Sequence, residues 1–340
     1  ILNDTLKSVA GKDSIELSIQ YKPLNYGVHN DTIKILSDGG NLSISVTGTS
    51  PYPVVVSSLL SLPFSDVGRN SSKQLGIKIS NASINTLSVD SIYTKTATFA
   101  VDKNIGSIGT DTLLLSVTFL PTTIGSFIDT LYLRNNSQTT LVKIPLSGNS
   151  PAPVLGVSVT SLTFSNRAKG DSATMTAYLR NTSISAMSIS SITINTSNFT
   201  ATSSSSTIAG QDSTILTVKF KPTFFGSFTD TVNVVSDGGN VSVVLTGTSP
   251  YPVLVSNSSS LSFGSVARNS SKPLGIKISN TSINTLSIDS IYTKTSIFAV
   301  DKNNGSVGTD TLLLSVTFSP TTVGSFIDTL YLRNNSQTTL

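Results

Sequence analysis

The feature that most limits how this chain can fold is that it repeats itself about every hundred residues. The junction Thr49-Ser50-Pro51-Tyr52-Pro53-Val54 recurs as Asn149-Ser150-Pro151-Ala152-Pro153-Val154 and as Thr248-Ser249-Pro250-Tyr251-Pro252-Val253. Upstream of each junction lies an aromatic-x-Pro step followed by a glycine. These are Tyr21-Lys22-Pro23 with Gly27, Phe119-Leu120-Pro121 with Gly125, and Phe220-Lys221-Pro222 with Gly226; a fourth is Phe318-Ser319-Pro320 with Gly324. A longer period is superimposed, because residues 51–141 match 250–340 at roughly four positions in five. Ser37-Asp38-Gly39-Gly40-Asn41 likewise returns as Ser236-Asp237-Gly238-Gly239-Asn240. Two repeat types therefore alternate. Most apolar exchanges between the matching copies keep volume, as with Val89 against Ile288 and Ile124 against Val323, and cores tolerate such swaps.

This pattern divides the chain into copy one (1–50, the second half of a repeat), copy two (51–150), copy three (151–249) and copy four (250–340, without its last strand). The partial end copies predict a parent protein longer than this chain. A hundred residues is an ordinary size for one β-sandwich domain.

Within copy two the apolar residues alternate with period two, as strands require. Ile77 and Ile79 alternate with Lys78 and Ser80, and Leu87 and Val89 with Ser88 and Asp90. Leu113, Leu115, Val117 and Phe119 point one way, while Phe127, Leu131 and Leu133 share a face with Asp129. A last strand is predicted over about 140–147, and short ones near 54–56, 62–64 and 99–101. The count is seven or eight, with almost no helix. About a third of the residues are Ser or Thr, which with Val and Ile suit a pleated surface. The expected fold class is all-β: tandem immunoglobulin-like β-sandwiches in a linear array. The turn between the last two strands is Asp-Gly-Gly in one repeat type and Asn-Asn-Ser in the other, both suited to positive φ.

The net charge of +4 is spread over 340 residues, and basic side chains such as Lys78, Lys95 and Arg134 stand singly. Nucleic-acid binding needs clustered cations, so no nucleic-acid partner is expected. No apolar run approaches the ~20 residues that span a bilayer. There is no Cys, which removes disulfides, thiolate metal sites and thiol nucleophiles. No Gly-x-Ser-x-Gly, His-Glu-x-x-His or phosphate-cradling glycine motif occurs. His29 has no counterpart in the other copies, and the dispersed acids do not form an acid/base pair. The chain is expected not to be an enzyme and to hold no cofactor or metal; the acid-free junctions offer calcium no carboxylates.

One triplet is frequent: Asp, then Ser or Thr, then an apolar residue. Its hydroxyl positions are Thr5, Ser14, Thr32, Ser91, Thr112, Thr130, Ser172, Ser213, Thr231, Ser290, Thr311 and Thr329. The triplet resembles the O-glycosylation sequon of exported Bacteroidota proteins, so these are candidate glycan sites. The alternative is that Asp-Thr opens a strand after a turn. Asn-x-Ser/Thr triplets, at Asn70, Asn81, Asn181, Asn269 and Asn280, are numerous in so hydroxyl-rich a chain. At the junctions, Pro51, Tyr52, Pro53, Pro151, Pro153, Pro250, Tyr251 and Pro252 are candidates for packing between domains.

Several segments together resemble the Hydin-type (ASH) immunoglobulin-like repeats found in bacterial choice-of-anchor D proteins. They are Leu261-Ser262-Phe263-Gly264-Ser265-Val266, Ile278-Ser279-Asn280, the strand Leu286 to Ile291, Phe318 to Gly324, and Leu245-Thr246-Gly247. Departures are Ser65 in place of glycine and the run Leu162-Thr163-Phe164-Ser165-Asn166-Arg167. Eukaryotic members of that family work inside cilia and at centrosomes, and bacterial members are exported. The near-duplicate copies and the absence of Cys point to the bacterial, extracellular type. The resemblance implies a structural stalk or filament at the cell surface, whose partners are neighbouring repeats and other copies of the filament. An adhesin binding a glycan or host protein through Tyr52 and Tyr251 is the first alternative. An intracellular ciliary-type scaffold is the second.

Overall fold

A computed structural model describes residues 8–337. The chain divides into two compact units, Ile1–Ala152 and Pro153–Leu340. Every regular element among the described residues is a strand.

In the first unit, β1 (Gly27–Ile35) and β2 (Leu42–Ser50) form an antiparallel hairpin in register from Gly27↔Ser50 to Ile35↔Leu42. Copy two adds β3 (Val55–Ser57), β4 (Leu62–Asp66), β5 (Lys73–Asn81), β6 (Leu87–Tyr93), β7 (Phe99–Val101), β8 (Gly106–Ile108), β9 (Thr112–Phe119), β10 (Gly125–Asn135) and β11 (Leu141–Ser150). These make a four-stranded sheet β3-β5-β9-β7 and a five-stranded sheet β4-β11-β10-β6-β8. Strand β4 runs parallel to β11, and the other pairings are antiparallel. The two extra pieces relative to seven strands are edge strands. Three-residue β8, which the sequence did not signal, pairs with β6 because the segment after β7 crosses back to the other sheet.

The period-two reading places the core. Ile77, Ile79, Leu87, Val89, Leu115, Val117, Phe119, Leu131 and Leu133 are buried in one cluster, while Leu114 faces solvent. Phe64, Phe99 and Phe119 meet at its centre, with ring centroids 4.9–5.6 Å apart; Phe99 stacks on Phe119 and Phe64 is tilted against both. Aromatic pairs at such distances add to what their burial supplies.

The second unit repeats the plan. Copy three has sheets of four and five strands around Leu179, Val218, Phe220, Val232, Val234 and Leu245, with Phe164, Phe199 and Phe220 as its aromatic trio. Its strand Ser161–Thr163 lies parallel to Gly239–Ser249. Copy four has four- and three-stranded sheets around Ile278, Leu286, Ile288 and Leu314, with Phe263, Phe298 and Phe318 as the corresponding trio.

Two motifs noted separately in the sequence are one packing device. The aromatic of the aromatic-x-Pro step lies against the glycine near the end of the last strand of the hairpin that follows. A Cβ on Gly148 would come within 2.5 Å of the Phe119 ring, one on Gly247 within 2.7 Å of Phe220, and one on Gly48 within 2.6 Å of Tyr21. The proline carbonyl then accepts from a turn at the opposite loop: Asn70 N to Pro121 O, Gly170 N to Pro222 O, and Asn269 N to Pro320 O, all 2.8 Å. All three donors have positive φ, which Gly and Asn accept most readily.

The two hairpin turns differ from expectation in one respect. The Asp-Gly-Gly turns use positive φ at Gly40 and Gly239. The Asn-Asn-Ser turn does not, because the Asn135 side chain holds it. Asn135 Oδ1 accepts from Ser137 N at 2.8 Å and Nδ2 donates to Thr139 O at 3.2 Å. An Asx turn of this kind substitutes for a left-handed backbone.

Candidate functional site

The side chains that recur most regularly outside the cores gather at the joints between copies. Each joint begins with the asparagine that ends the first long strand of a copy, buried at Asn181 and half-buried at Asn81 and Asn280. Asn81, Asn181 and Asn280 each accept from the junction valine, Val54 N (3.1 Å), Val154 N (3.3 Å) and Val253 N (3.1 Å). Each also donates through Nδ2 to the carbonyl four residues on, at 2.6–2.7 Å. These amides anchor the incoming chain and the following loop. Three of the Asn-x-Ser/Thr triplets are therefore explained by the fold. The second proline of every junction, Pro53, Pro153 and Pro252, is buried; Pro151 and Pro250 are half-buried and Pro51 is exposed.

Between copies one and two, the rings of Tyr26 and Tyr52 lie 5.0 Å apart. Asn136 Nδ2 donates to the Tyr26 hydroxyl at 3.2 Å. Asn85 Nδ2 donates to Pro51 O at 2.7 Å and to Ser50 Oγ at 3.3 Å. Between copies three and four, Phe225 and Tyr251 lie 5.3 Å apart, and the Lys169 ammonium stands 5.5 Å over the Phe225 ring. Asn284, only 4% exposed, donates to Pro250 O (2.6 Å) and Ser249 Oγ (3.1 Å) and accepts from Lys169 N (2.6 Å). Tyr52 and Tyr251 thus make ring contacts across their joints while staying partly exposed. Sequence reasoning picked out these tyrosines and missed Asn85 and Asn284. The signal was available, since both sit four residues after the Ile-x-Asn asparagine.

The Asp-Ser/Thr triplets fall into two groups. Ser14, Thr32, Thr112, Ser172, Ser213, Thr311 and Thr329 are exposed; Ser91, Thr130, Thr231 and Ser290 are half-buried. Thr5 lies outside the described residues. In three triplets the aspartate clamps a loop. Asp129 Oδ2 accepts from Thr96 N (2.8 Å) and Oγ1 (2.7 Å), and Asp230 accepts the same pair from Thr196 (2.7 and 2.6 Å). Asp328 accepts both from Thr295 at 2.7 Å. In each case Oδ1 takes the amide of the next residue, at 2.7 Å. Hydrogen bonds to the charged form lower a carboxyl pKa. For Asp328 the Thr295 hydroxyl leads the causes that bring it from the ordinary 3.8 to about 2. At Asp129 and Asp230 burial pushes upward, but the threonine and amide hydrogen bonds outweigh it and the net shift is downward.

An open groove of about 640 Å³ on the four-stranded sheet of copy two is lined by Leu59, Lys78, Asp102, Lys103 and Leu114. Two of its charges are engaged in the fold: Asp102 accepts from Ser116 N (2.7 Å) and Lys103 Nζ donates to Leu114 O (2.5 Å). Copy four repeats both bonds with Asp301 and Lys302. His29 Nε2 lies 3.0 Å from Asn25 O, beside Tyr21. Among the described residues no three of His, Asp and Glu gather as a metal site would require. Among the described residues no helix is long and apolar enough to cross a membrane.

Two sheets of four and five strands closing on one core, with the second strand of the copy parallel to the last, define the class: these are tandem immunoglobulin-like domains. Residues 153–247, essentially copy three, match the family described as HYDIN/CFA65/VesB-like, Ig-like domain. Among solved structures the chain is distantly similar to a protein of unknown function from Porphyromonas gingivalis W83. Identity is 14%, over 57% of this chain and 99% of that one, with TM-score 0.27. The ASH / PapD-like domain of human CEP192 matches at 16% identity over 30% of this chain and 89% of that one, TM-score 0.25. A three-Ig fragment of titin matches at 11% over 79% and 89%, TM-score 0.27. No curated protein matches the chain.

Proposed function

We propose that this chain is a stretch of an extracellular stalk or filament, in which immunoglobulin-like domains are strung in series as a structural spacer at a cell surface. The observation that supports this most is where the specific side chains are placed. Outside the cores, the recurring asparagine amides and aromatic pairs are used at the joints between copies, and Asp102 and Lys103 of the copy-two groove bond to their own sheet. A chain whose repeats bury their own cores and touch mainly their neighbours is quasi-one-dimensional. The exposed hydroxyls Ser14, Thr32, Thr112, Ser172, Ser213, Thr311 and Thr329 are the positions at which such a stalk would carry O-linked glycans. Thr130 and Thr231 are poorer candidates, half-buried beside aspartates already occupied in clamping a loop.

Cryo-microscopy of the native protein tests the stalk: continuous fibres with a regular domain repeat are expected, and strings of uncorrelated beads would overturn it. Intact-mass measurement on native material tests the glycans, which require hexose-scale additions that disappear when the exposed hydroxyls are replaced by alanine.

A further inference from the structure

The two-repeat period of the sequence has a counterpart in the joints. In joints of one kind, an aromatic on the upstream copy meets a tyrosine on the downstream copy, and an asparagine amide bridges the two. This is Tyr26, Tyr52 and Asn85 between copies one and two, and Phe225, Tyr251 and Asn284 between copies three and four. The positions that correspond in sequence across copies two and three are Ile124, Ala152 and Ser185, which carry neither ring nor amide. Copy four continues the alternation, with Val323 in the place of Ile124.

We infer that Asn284, with Tyr251 and Phe225, locks copies three and four into one rigid two-domain body. The argument rests on directionality. Ring contacts alone permit sliding, whereas hydrogen bonds weaken steeply when bent or stretched. The buried Asn284 amide spends both its donors and its acceptor on three separated points: the Arg167–Gly170 turn through Lys169 N, the last strand of copy three through Ser249, and the linker through Pro250. Asn280 Nδ2 fixes the Asn284 carbonyl from behind at 2.6 Å. Rotating one copy against the other would break these bonds and leave polar groups buried without partners, which is strongly unfavourable. Asn85 makes the matching bonds to Ser50 and Pro51. This inference deepens the stalk reading, but it stands on contacts within residues 153–340 and can fail separately.

The absence of Cys makes the test direct, because a pair of introduced cysteines is the only labelling site. Thr176→Cys and Lys277→Cys, both exposed, place spin labels on copies three and four of the full chain. Double electron–electron resonance should give one narrow distance peak. Asn284→Ala, which removes both amide donors and the acceptor, should broaden the peak, as should Tyr251→Ala. The pair together should broaden it further, with the far-ultraviolet circular dichroism unchanged. A broad peak in the unaltered chain, or a narrow one that survives both substitutions, overturns the lock. If either variant unfolds, the width in the unaltered chain and the other variant decide. A narrow, Asn284-dependent peak in a protein that native cells do not build into a fibre would sink the stalk and leave the lock standing.

Discussion

The side chain of Phe220 lies with no solvent exposure against Phe199, Phe164 and Phe228, and its remaining face is covered by Gly247. The two residues are fitted to each other, which gives a prediction at the residue scale. Gly247→Ala forces a methyl group into the ring and should destabilise copy three by about 1–3 kcal/mol. Phe220→Ala should cost about 3–5 kcal/mol as a buried aromatic truncation. The double variant should cost clearly less than the sum, since the methyl group then enters space the ring has left. Urea unfolding of the four proteins measures this, and additive losses would show that glycine and ring are not coupled. The aromatic-x-Pro step and the closing glycine were both visible in the sequence. That they touch was not, because about thirty residues separate them and only the sheet brings them together. Asn284 was missed for a related reason: in sequence it is one more asparagine in a Ser/Thr/Asn-rich loop, and its importance comes from what the preceding copy presents to it.

At the scale of strands and loops, the aspartate clamps tie the Lys95–Thr96 and Asn195–Thr196 loops to a neighbouring long strand, and the Lys294–Thr295 loop to the extended segment before Tyr331–Asn334. Each carboxylate has a depressed pKa in the folded state. A group of this kind stabilises the fold above its unfolded pKa, and the stabilisation disappears as pH falls through the folded value. For Asp328 the window runs from the ordinary 3.8 down to about 2. Denaturant midpoints should therefore fall as pH drops across that interval. Thr295→Val, which deletes the leading hydrogen bond, should flatten the fall in copy four; an unchanged pH profile would remove the clamp as its cause. The clamps also show why the Asp-Thr pattern reads ambiguously. The same two residues that match a modification sequon also let the aspartate bond the next amide and hold a facing loop, at Asp129 and Asp230 from the middle of a strand. The long strands were legible from their alternation; the three-residue strand at Gly106–Ile108 was not, since it is too short for a period to show and depends on pairing with β6.

For the whole molecule, each complete copy closes its own core without disulfides. Under tension the copies should unfold one at a time. About a hundred residues released at ~3.3–3.6 Å each gives length steps of roughly 300 Å after subtracting the folded span. Single-molecule extension reads the step directly, and adding a reductant should leave it unchanged; one step of several times that length would mean that copies share a core. The hundred-residue period announced this organisation from the sequence alone, whereas the bonded joints needed coordinates.

The parallel pairing of the second and last strands of a copy has a mechanical meaning once the short first strand has let go of the other sheet. In copy two Leu62, Pro63 and Asp66 lie beside Leu146, Ser147 and Asn149, and Asp66 also accepts from Asn149 Nδ2 at 2.8 Å. Copy three has the same arrangement at Ser161–Thr163. Because the two strands point the same way, a pull on the two ends of a copy drags them past each other in shear. The bonds of the pair are then loaded together and not peeled one after another. A domain so wired resists stretching most strongly along the direction in which its neighbours are attached.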